Sequence, residues 1–493
     1  MTKSSSSSSS QELTAHAEIP RGDLPFELSA EQMRSMADTL AARVIAHVDS
    51  LEGQPARAPL ADAVERSRAL RDAEPAAPEH GRSLEAAVAP LFEDWVHQSF
   101  NTAGPGYMAY MPAGGLFVSA LADFVAAALN RYTGVWNASP LLVQLEANVL
   151  QWLRQWMGFP PSARGLLVSG GSMAMLGAVV TAREHALGER LRDGVLYTSR
   201  AAHACVGKAA RTAGVLPDRV RLVDVDDRSR LRVDSLARAI DADGARGLVP
   251  FMVVSTAGTV GCGAVDPLDE IATLCAERCL WHHVDAAYGG FFMLLPELRE
   301  TLAGLERADS LTLDPHKGLF LPYGSGALLV RDGELLRAAH DWHGEYLPEL
   351  PPADMYNPCQ YGPELSRPFR GLRLWLALQV HGAARFREAL AHKRELALWA
   401  ADALRASGRF DLLAPPALSL FAYRLRSPAG DEHAIDGATR ALIERVNRRG
   451  RALLSGDVLG GRYYGRLNVL SFRTQRRHVE RCVEDLIEEA GAA

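Results

Sequence analysis

The chain has little lysine. Of its 53 basic residues only four are lysines, namely Lys3, Lys208, Lys317 and Lys393. Lys3 lies in a serine tract, and Lys208 and Lys393 stand in helical, alanine- and arginine-rich surroundings. Lys317 alone follows a short apolar strand, in Ser310-Leu-Thr-Leu-Asp-Pro-His-Lys-Gly318. A lysine at the carboxyl end of a buried strand is positioned to supply a Schiff-base amine in an α/β enzyme.

Other features are also missing, and each absence excludes a class of protein. No apolar run approaches the roughly 18–20 residues of a membrane span. Residues 1–20, with serine at every position from 4 to 10, lack the apolar core of a signal peptide and are predicted to be a disordered polar tail. Six cysteines in 493 residues indicate no disulfide framework, so we expect a cytoplasmic protein. A net charge of −6 argues against a nucleic-acid partner, and we expect no membrane partner either.

A cysteine and histidine cluster invites a zinc site, which we do not predict. Cys275 and Cys279 are spaced one helical turn apart and are expected on the inner side of an amphipathic helix. His282 and His283 are neighbours on the following strand, so their side chains point to opposite faces. They cannot both join one tetrahedral site without distortion.

Three regions follow the tail. Residues 21–104 are predicted to form a helical dimerisation arm, because the sequence from Ser29 to Gln32 has the form of a capping box and prolines break the region into short helices. An arm too thin for its own core is expected to pack on a second subunit, as a homodimer. Residues 105–406 alternate short strands with helices, which predicts an α/β domain with a mostly parallel sheet covered on both faces. Residues 407–493 are predicted to form a small α+β domain.

Seven strands are expected in the large sheet. The last is expected to be antiparallel to its neighbour, because too few residues join the pair for a helical crossover. The expected strands are Gly165–Ser169, Val195–Thr198, Val220–Val225, Leu248–Ser255, Leu280–Asp285, Ser310–Leu313 and Ala327–Val330.

Four strand-end features together indicate a cofactor. Gly171 and Ser172 lie in a turn that follows a strand and opens a helix, where backbone amides and a hydroxyl can bind phosphate. Asp285 and Lys317 each end a strand, and His203 follows another. A carboxylate for a pyridinium nitrogen and an amine for an aldehyde are what pyridoxal 5'-phosphate requires. His203 is placed either to stack on the ring or to cap the following helix.

Several motifs occurring in order make the chain resemble the pyridoxal-phosphate-dependent amino-acid decarboxylases of the aromatic-amino-acid and glutamate decarboxylase group, group II. The resemblance runs from about residue 85 to 400. Its motifs are Gly106-Tyr-Met-Ala-Tyr-Met-Pro112, Trp136-Asn-Ala-Ser-Pro140, Ser169-Gly-Gly-Ser172, Ala202-His203, Thr256-Ala-Gly-Thr259, His283-Val-Asp-Ala-Ala-Tyr288, Asp314-Pro-His-Lys317 and Arg367-Pro-Phe-Arg370.

The resemblance implies a fold-type-I homodimer with its active site at the subunit interface. It implies that Gly171 and Ser172 bind the phosphate, that His203 and Ala287 pack on the two ring faces, and that Asp285 holds the ring nitrogen. It implies that His316 neighbours the cofactor linkage on Lys317. The substrate-binding residues that it implies are Tyr110, Met111, Pro112, Tyr132 and Trp136.

The chain departs from the family pattern at four places. The usual Asn before Pro-His-Lys is Asp314, which weakens the case for phosphate contact there, and the usual second threonine of the Gly-Thr-Thr stretch is Val260. The segment from Tyr110 to Ala113 lacks a second aromatic residue, and Gly134 stands where a bulky ring is usual. These changes predict a reshaped and roomier substrate pocket.

A polar, proline-rich stretch at about residues 333–362 is predicted to be a mobile catalytic loop. The family has such a loop, with a tyrosine 29 residues after the lysine, as Tyr346 is here. We expect Tyr346 to protonate the substrate carbon after CO2 leaves.

The function predicted from the sequence is decarboxylation of an L-amino acid to the primary amine and CO2. An aromatic substrate is favoured by Tyr110, Tyr132 and Trp136. An acidic or diamino acid is the rival, because Arg131 and Asn137 could bind a polar side chain. An oxygen-consuming aldehyde synthase, which Tyr346 disfavours, and a non-enzymatic vitamin-B6-binding protein remain as further alternatives. No metal is expected.

Overall fold

The computed structural model describes residues 26–58, 62–111, 114–342, 344, 350–426 and 431–491. The predicted tail, residues 1–20, therefore lies outside the described residues. The first helices are α1 (Ala30–Ser50), α2 (Ala63–Ala73) and α3 (Leu84–Glu93).

The capping box predicted at the start of α1 is present. The Ser29 hydroxyl accepts from the Gln32 amide at 3.2 Å, and the Gln32 side chain accepts from the Ser29 amide at 2.9 Å. None of the residues of α1, α2 or α3 is buried in the single chain. These helices therefore have no core of their own.

A seven-stranded sheet lies at the centre of the chain. Its strands are β1 (Arg164–Val168), β2 (Gly194–Ser199), β3 (Val220–Val223), β4 (Val249–Thr256), β5 (Trp281–Asp285), β6 (Ser310–Leu313) and β7 (Gly326–Val330). They run in the order β1-β7-β6-β5-β4-β2-β3. β7 is antiparallel to both β6 and β1, whereas the other pairs are parallel. The expected strands and the antiparallel direction of the last one are confirmed.

Helices separate most of these strands. They are α4 (Phe117–Leu129), α5 (Pro140–Trp156), α6 (Gly171–Leu187), α7 (Cys205–Thr212), α8 (Val233–Ala245), α9 (Leu268–Glu277), α10 (Pro315–Gly318), α11 (Gly333–His340) and α12 (Gly371–Ala406). The long α12 is kinked at Gly382, whose φ of 73° is not helical.

Both faces of the large sheet are covered by helices. Met252 and Val254 of β4 belong to the same hydrophobic core as α5 and α6, whereas Val253 between them packs in a second core with α8 and α9. Because successive side chains of a strand point to opposite faces, β4 separates two apolar layers. The predicted α/β class, with helices on both faces, is confirmed.

The elements beyond α12 are β8 (Phe410–Leu412), β9 (Leu420–Leu425), α13 (Glu432–Arg448), β10 (Ser455–Leu459), β11 (Arg462–Asn468) and α14 (Arg476–Gly491). The four strands form a smaller antiparallel sheet in the order β10-β11-β9-β8. The sequence pattern predicts strands at Leu418–Leu425 and Arg466–Arg473 and helices at 434–449 and 476–490. β9 and both helices match these predictions, β8 and β10 are not predicted, and β11 ends at Asn468 rather than continuing to Arg473.

The cysteine and histidine cluster is dispersed by the fold. Cys275 is buried on α9, but Cys279 follows the end of that helix and is exposed, so the expectation that both cysteines face inward is wrong. The His282 ring contacts the Ser255 hydroxyl at 2.8 Å, and the His283 ring contacts the Ser310 hydroxyl at 2.7 Å. Among the described residues no group of three or more His, Cys, Asp or Glu side chains is arranged to hold a metal ion. Within the same residues, no helix is both long and apolar enough to cross a bilayer.

Candidate active site

The carboxyl ends of several parallel strands meet along one edge of the large sheet, and a cavity of about 490 Å³ lies there. Its residues come from the segments that follow β1, β2, β4, β5 and β6, together with the segment before α4. The lining residues are Tyr107, Tyr110, Met111, Ser169, Gly170, Gly171, Ser172, Met173, His203, Cys205, Thr256, Gly258, Val260, Asp285, Ala287, Tyr288, Asp314, His316, Lys317 and Tyr323. The fold therefore brings together every cofactor-binding residue predicted from the sequence.

Lys317 reaches this cavity from the short helix α10 and pairs with Asp314. Its Nζ lies 2.8 Å from Asp314 Oδ2, and its side chain keeps 22% of its surface exposed. Burial opposes the charge of the ammonium group. The carboxylate of Asp314, with Asp285 behind it, outweighs this effect, so the pKa of Lys317 is raised.

Asp285 ends β5 inside the cavity and is buried. Its Oδ1 accepts from the Ala287 amide at 3.2 Å. Burial raises the pKa of the Asp285 carboxyl, and Lys317 and the Ala287 amide only partly offset this. A buried carboxylate with a raised pKa is a strong hydrogen-bond acceptor, so it favours the protonated form of a basic nitrogen placed beside it.

His203 stands just before α7, and one of its two ring nitrogens is already used. Its Nδ1 accepts from the Cys205 amide at 3.1 Å, so the ring caps the helix. Partial burial lowers the pKa of His203, and Asp285 partly offsets this. The two sequence-based alternatives are therefore compatible, because a histidine that caps α7 through Nδ1 still lines the cavity.

His316 lies beside Lys317 on α10. Its Nδ1 is 2.6 Å from the Ser325 carbonyl oxygen, to which it donates, and its Nε2 is 3.7 Å from Asp314 Oδ2. Burial lowers the pKa of His316, and the Asp314 carboxylate only partly offsets this effect. The lowered pKa favours a neutral ring with a free lone pair on Nε2.

The turn after β1 packs tightly against the strand ends. A Cβ at Gly171 would lie 3.0 Å from Asp314 Oδ2, 3.2 Å from Thr312 Cγ2 and 3.3 Å from the Ala287 Cβ, so the position favours glycine. Gly171 begins α6, which is 17 residues long, and Met173 and Ala174 donate back to the Gly170 carbonyl. The first amides of a helix lack intrahelical acceptors and can bind an anion.

The predicted substrate residues separate into two groups. Tyr110 and Met111 line the cavity, whereas Tyr132 and Trp136 do not line it within the single chain. Pro112 lies outside the described residues. The Trp136 amide instead donates to the Asn357 side chain at 2.9 Å.

Close main-chain packing accounts for glycine at position 134. A Cβ there would collide with the Leu365 carbonyl oxygen. The Cys359 amide donates to the Gly134 carbonyl at 3.1 Å, which fixes this close approach. Gly134 does not line the cavity of the single chain, so the expected roomier pocket stays a prediction.

Several residues of the cavity wall were not predicted from the sequence. Tyr107 and Tyr323 line it, and the Tyr107 ring stacks on Tyr110 with centroids 6.4 Å apart. Tyr323 lies 5.7 Å from the His316 ring. Tyr107 stands in a motif that was recognised, but Tyr323 follows a proline in a loop, where no periodic pattern marks a side chain as functional.

The segment predicted as a catalytic loop begins with regular structure, because α11 occupies Gly333–His340. Farther along, the Gln360 side chain donates to Asp341 at 3.0 Å, and the Tyr356 hydroxyl donates to the Gly165 carbonyl at 3.1 Å. Both ends of the segment are therefore attached to the large sheet or its flanking helices. Tyr346 lies outside the described residues.

The described residues fit pyridoxal phosphate. The Gly171 turn excludes a side chain where a phosphate would approach the first amides of α6. The buried Asp285 carboxylate suits a protonated ring nitrogen, and Lys317 offers an amine in the same cavity. Asp314 Oδ1 is buried without a hydrogen-bond partner, so this side of the cavity has unused polar capacity.

Comparisons with known proteins agree with this chemistry. Residues 67–426 match the model of the pyridoxal-dependent decarboxylase conserved domain. The chain is 33% identical over 452 residues to the aromatic-L-amino-acid decarboxylase of Bacillus atrophaeus, across 91% of this chain and 93% of that protein. Among solved structures, the Oryza sativa TDC with PLP and tryptamine superposes with a TM-score of 0.89 at 28% identity, covering 94% of this chain and 99% of that one.

A second similar structure belongs to an enzyme named for a different activity. The Rhodiola rosea 4-hydroxyphenylacetaldehyde synthase superposes with a TM-score of 0.87 at 25% identity, over 94% of this chain and 99% of that one. The match to the family model extends over most of the chain, and the fold-type-I architecture expected from the sequence is the one observed. The chain therefore belongs to the pyridoxal-dependent decarboxylase family and is a pyridoxal-phosphate-dependent amino-acid decarboxylase, a carboxy-lyase.

Proposed function

We propose that this decarboxylase converts an aromatic L-amino acid to its primary amine and CO2, with the cofactor held covalently on Lys317. The observation that carries the proposal is a single cavity in which Lys317 and Asp285 share space with a wall of tyrosines. The similarity to the aromatic-L-amino-acid decarboxylase of Bacillus atrophaeus supports an aromatic substrate.

The charge of the cavity wall supports an aromatic rather than an acidic substrate. Among the described lining residues, Lys317 is the only lysine or arginine, and it is paired with Asp314. A distal carboxylate would need its own cation in such a site. Met111, Met173 and Val260 add apolar surface instead, and Tyr107 and Tyr110 offer ring faces.

The bound cofactor would supply an electron sink for the pair of electrons left on the substrate carbon when CO2 departs. Asp285 would hold the ring nitrogen in its protonated form, a role suited to a buried carboxylate of raised pKa. His203 and Ala287 would confine the ring between them. The Gly171 and Ser172 amides and the Ser172 hydroxyl would bind the phosphate.

Proton transfer is assigned to three side chains. Lys317 would release the cofactor aldehyde to the incoming amino group and hold the proton that it takes up. The free Nε2 of His316 would accept a hydrogen bond near the reacting atoms. Tyr346 would return a proton to the substrate carbon from the segment after α11, while closure of that segment excludes water.

The helical arm, residues 21–104, is proposed to mediate homodimerisation, with residues 105–406 forming the cofactor-binding domain and residues 407–493 the small domain. Exposed apolar side chains on α4, among them Phe124 at 63% and Leu129 at 51% exposure, support a partner surface beside it. We propose a cytoplasmic enzyme.

The same dimer would complete the active site. Tyr132 and Trp136 follow directly on α4 and do not line the cavity of their own chain, so we propose that they reach the cavity of the second subunit. Mixed dimers test this arrangement. An equal mixture of Lys317→Ala and Trp136→Ala chains should recover up to about a quarter of the wild-type activity, because random pairing makes about half of the dimers mixed and one of the two sites in each mixed dimer is intact. Absence of recovery in dimers shown to be mixed would contradict a shared site.

A substrate screen tests the proposed reaction. The purified enzyme with cofactor is offered the twenty amino acids, DOPA, 5-hydroxytryptophan, ornithine and 2,4-diaminobutyrate, and release of CO2 and amine is measured for each. The largest kcat/KM is expected for an aromatic substrate. A preference for glutamate, aspartate or a diamino acid would overturn the proposed substrate class while leaving the reaction intact.

The structural similarity to an aldehyde synthase supports one alternative reaction, the oxygen-consuming formation of an aldehyde. The two reactions differ in whether a proton or oxygen reaches the substrate carbon first. General-acid help is worth about 10²–10⁴-fold, so Tyr346→Phe should reduce amine formation by about that factor and shift product toward aldehyde and hydrogen peroxide. Peroxide as the main product of the wild type would instead make the chain an aldehyde synthase.

A further inference from the structure

We infer that Asp314 holds the amino group of Lys317 as an ammonium ion in the cofactor-free enzyme and thereby limits the rate at which the cofactor is captured. The inference rests on the proposed role of Lys317 as the residue that carries the cofactor. It assigns Asp314 a function as a positioning residue, distinct from phosphate binding.

The pair is built into the backbone around α10. Asp314 immediately precedes the helix, and the Lys317 amide donates to the Asp314 carbonyl at 2.8 Å. This turn brings the two side chains together, with Nζ 2.8 Å from Oδ2. The Asp314 side chain is only 3% exposed, so little solvent screens the pair.

Within the part of the chain that the structure describes, Asp314 has no competing partner of comparable strength, and its Oδ1 is buried without a hydrogen bond. The nearest imidazole nitrogen there, His316 Nε2, is 3.7 Å from Oδ2. Lys317 is thus the one cation in direct contact with this carboxylate among the described residues. Removing the ammonium charge would leave a buried carboxylate unpaired, which is a strongly unfavourable state.

The other groups that face Lys317 do not reverse this preference. Asp285 on β5 adds a second negative charge, and the pKa of the Cys205 thiol on α7 is raised by burial, so this thiol stays neutral. The pKa values of His203 and His316 are lowered by burial, so these rings add no positive charge at neutral pH. The surroundings of Lys317 therefore favour its ammonium form.

Capture of the aldehyde requires the opposite form. The ammonium group must first give a proton to Asp314, after which the neutral nitrogen adds to the aldehyde carbon. The carbonyl oxygen then leaves as water with one proton from the nitrogen and the one held by Asp314. A protonated C=N bond remains, and Asp314 is again a carboxylate. The balance needs no other reactant, and the first transfer is the step that the ion pair opposes.

A second explanation must be separated from this one. Asp314 Oδ2 lies 3.0 Å from the place of a Cβ on Gly171, so the carboxylate also borders the phosphate turn. A negative charge there could slow capture by repelling the phosphate rather than by holding the lysine proton. Pyridoxal, which has the aldehyde but no phosphate, distinguishes the two causes.

The experiment compares the cofactor-free wild type with Asp314→Asn. Each is mixed with excess pyridoxal phosphate or pyridoxal, and the rate at which the yellow absorption appears is recorded from pH 7 to 10. Each unit of pKa changes the fraction of free amine about tenfold, so we expect Asp314→Asn to capture both aldehydes at least about tenfold faster near pH 7. The difference should narrow toward pH 10, because the amine of the variant is then already neutral and its rate no longer rises, whereas the wild-type rate still does. Asp411→Asn, a surface carboxylate paired with Arg426, is the control and should behave as the wild type.

The outcomes are separable. Acceleration with pyridoxal phosphate alone would overturn the inference in favour of phosphate repulsion, and unchanged rates with both aldehydes would refute any such role. If Asp314→Asn does not fold, the wild-type profile decides, since a capture rate that no longer rises above pH 8 would overturn the inference. Borohydride fixation and peptide mapping come first. A label on a lysine other than Lys317 would refute the proposed function itself.

Discussion

Of the three lysines that the structure describes, Lys317 and Lys393 point inward, and they are held in opposite ways. Lys317, at the end of the large sheet, contacts Asp314 and faces Asp285. Lys393, in the middle of α12, is 1% exposed, and its Nζ donates to the Thr474 carbonyl. Among the described residues no carboxylate pairs with Lys393, and burial alone lowers its pKa to about 8. The pKa of Lys317 is instead raised.

The comparison shows that burial does not by itself make a lysine reactive. Desolvation favours the neutral amine at both places, and it prevails only where no carboxylate opposes it. Lys393 is the more readily deprotonated of the two, but the described residues of the cavity that it lines include no glycine turn for a phosphate. Lys317 has that site, and a carboxylate that delays its use.

The sharpest test of the comparison exchanges each lysine for a neutral residue. Lys317→Ala should abolish borohydride-resistant attachment of the cofactor and lower kcat/KM by more than about 10³-fold, because the covalent route is lost. Lys393→Met should retain both. Attachment that survives in Lys317→Ala and disappears in Lys393→Met would reverse the assignment of the two lysines.

Replacing Asp285 should affect catalysis, whereas replacing Asp314 should affect the rate of cofactor capture. Asp285→Asn should lower kcat by about 10²–10³-fold, the usual range for loss of one buried electrostatic partner, while the cofactor still attaches to Lys317. The measurement is kcat together with the absorption spectrum of the bound cofactor. Full activity would show that the ring nitrogen does not depend on this carboxylate.

The stability of the cofactor-free protein should respond to pH with opposite signs at the two lysines. The folded pKa of Lys393, about 8, is below its unfolded value, so the unfolded chain binds more protons between these values and stability rises with pH. Relative to Lys393→Met, the wild type should gain about 2–3 kcal/mol between pH 7 and 10. Denaturant unfolding at several pH values measures this, with Lys208→Met, at an exposed site on α7, as the control.

At Lys317 the dependence of stability on pH should be smaller than at Lys393 and opposite in sign. Its folded pKa is raised, so its contribution is fully present below the unfolded pKa and is lost as pH rises above it toward the folded value. Relative to Lys317→Met, the cofactor-free wild type should hold its advantage up to about pH 10 and lose it only above that. An advantage already lost by pH 8 would contradict the ion pair with Asp314.

Strands with an apolar run were predictable, and two strands that carry small and polar residues were not. Leu166, Leu167 and Val168 form part of an unbroken apolar run, which marks a covered strand. The short β8 carries Asp411, and β10 begins with Ser-Gly-Asp, so neither has an apolar pattern above the background of loops. β8 and β10 are therefore strands because they pair with a neighbouring strand, and not because of a strand pattern in their own residues.

The residues of the active site also differ in how far the sequence predicted them. Lys317 and Asp285 were predictable because a charged residue directly after an apolar strand is conspicuous. The contact of Asp314 with Lys317 was not, since it depends on how α10 turns. Tyr132 and Trp136 were assigned through resemblance alone, and no local pattern says which chain's cavity a side chain enters.

The place of β7 in the sheet has a consequence for synthesis and folding. β7 separates β1 from β6, so the turn after β1 and the lysine after β6 take up their final separation only when residues 326–330 have paired with both neighbours. Arg164 pairs with Val330, which is far away in the sequence, and contacts between residues so far apart form late in folding. If Lys317 carries the cofactor, as proposed, we expect a growing chain to acquire it only after this strand has left the ribosome. Capture of pyridoxal phosphate would then report completion of the sheet, and it would stabilise only chains that have reached that stage.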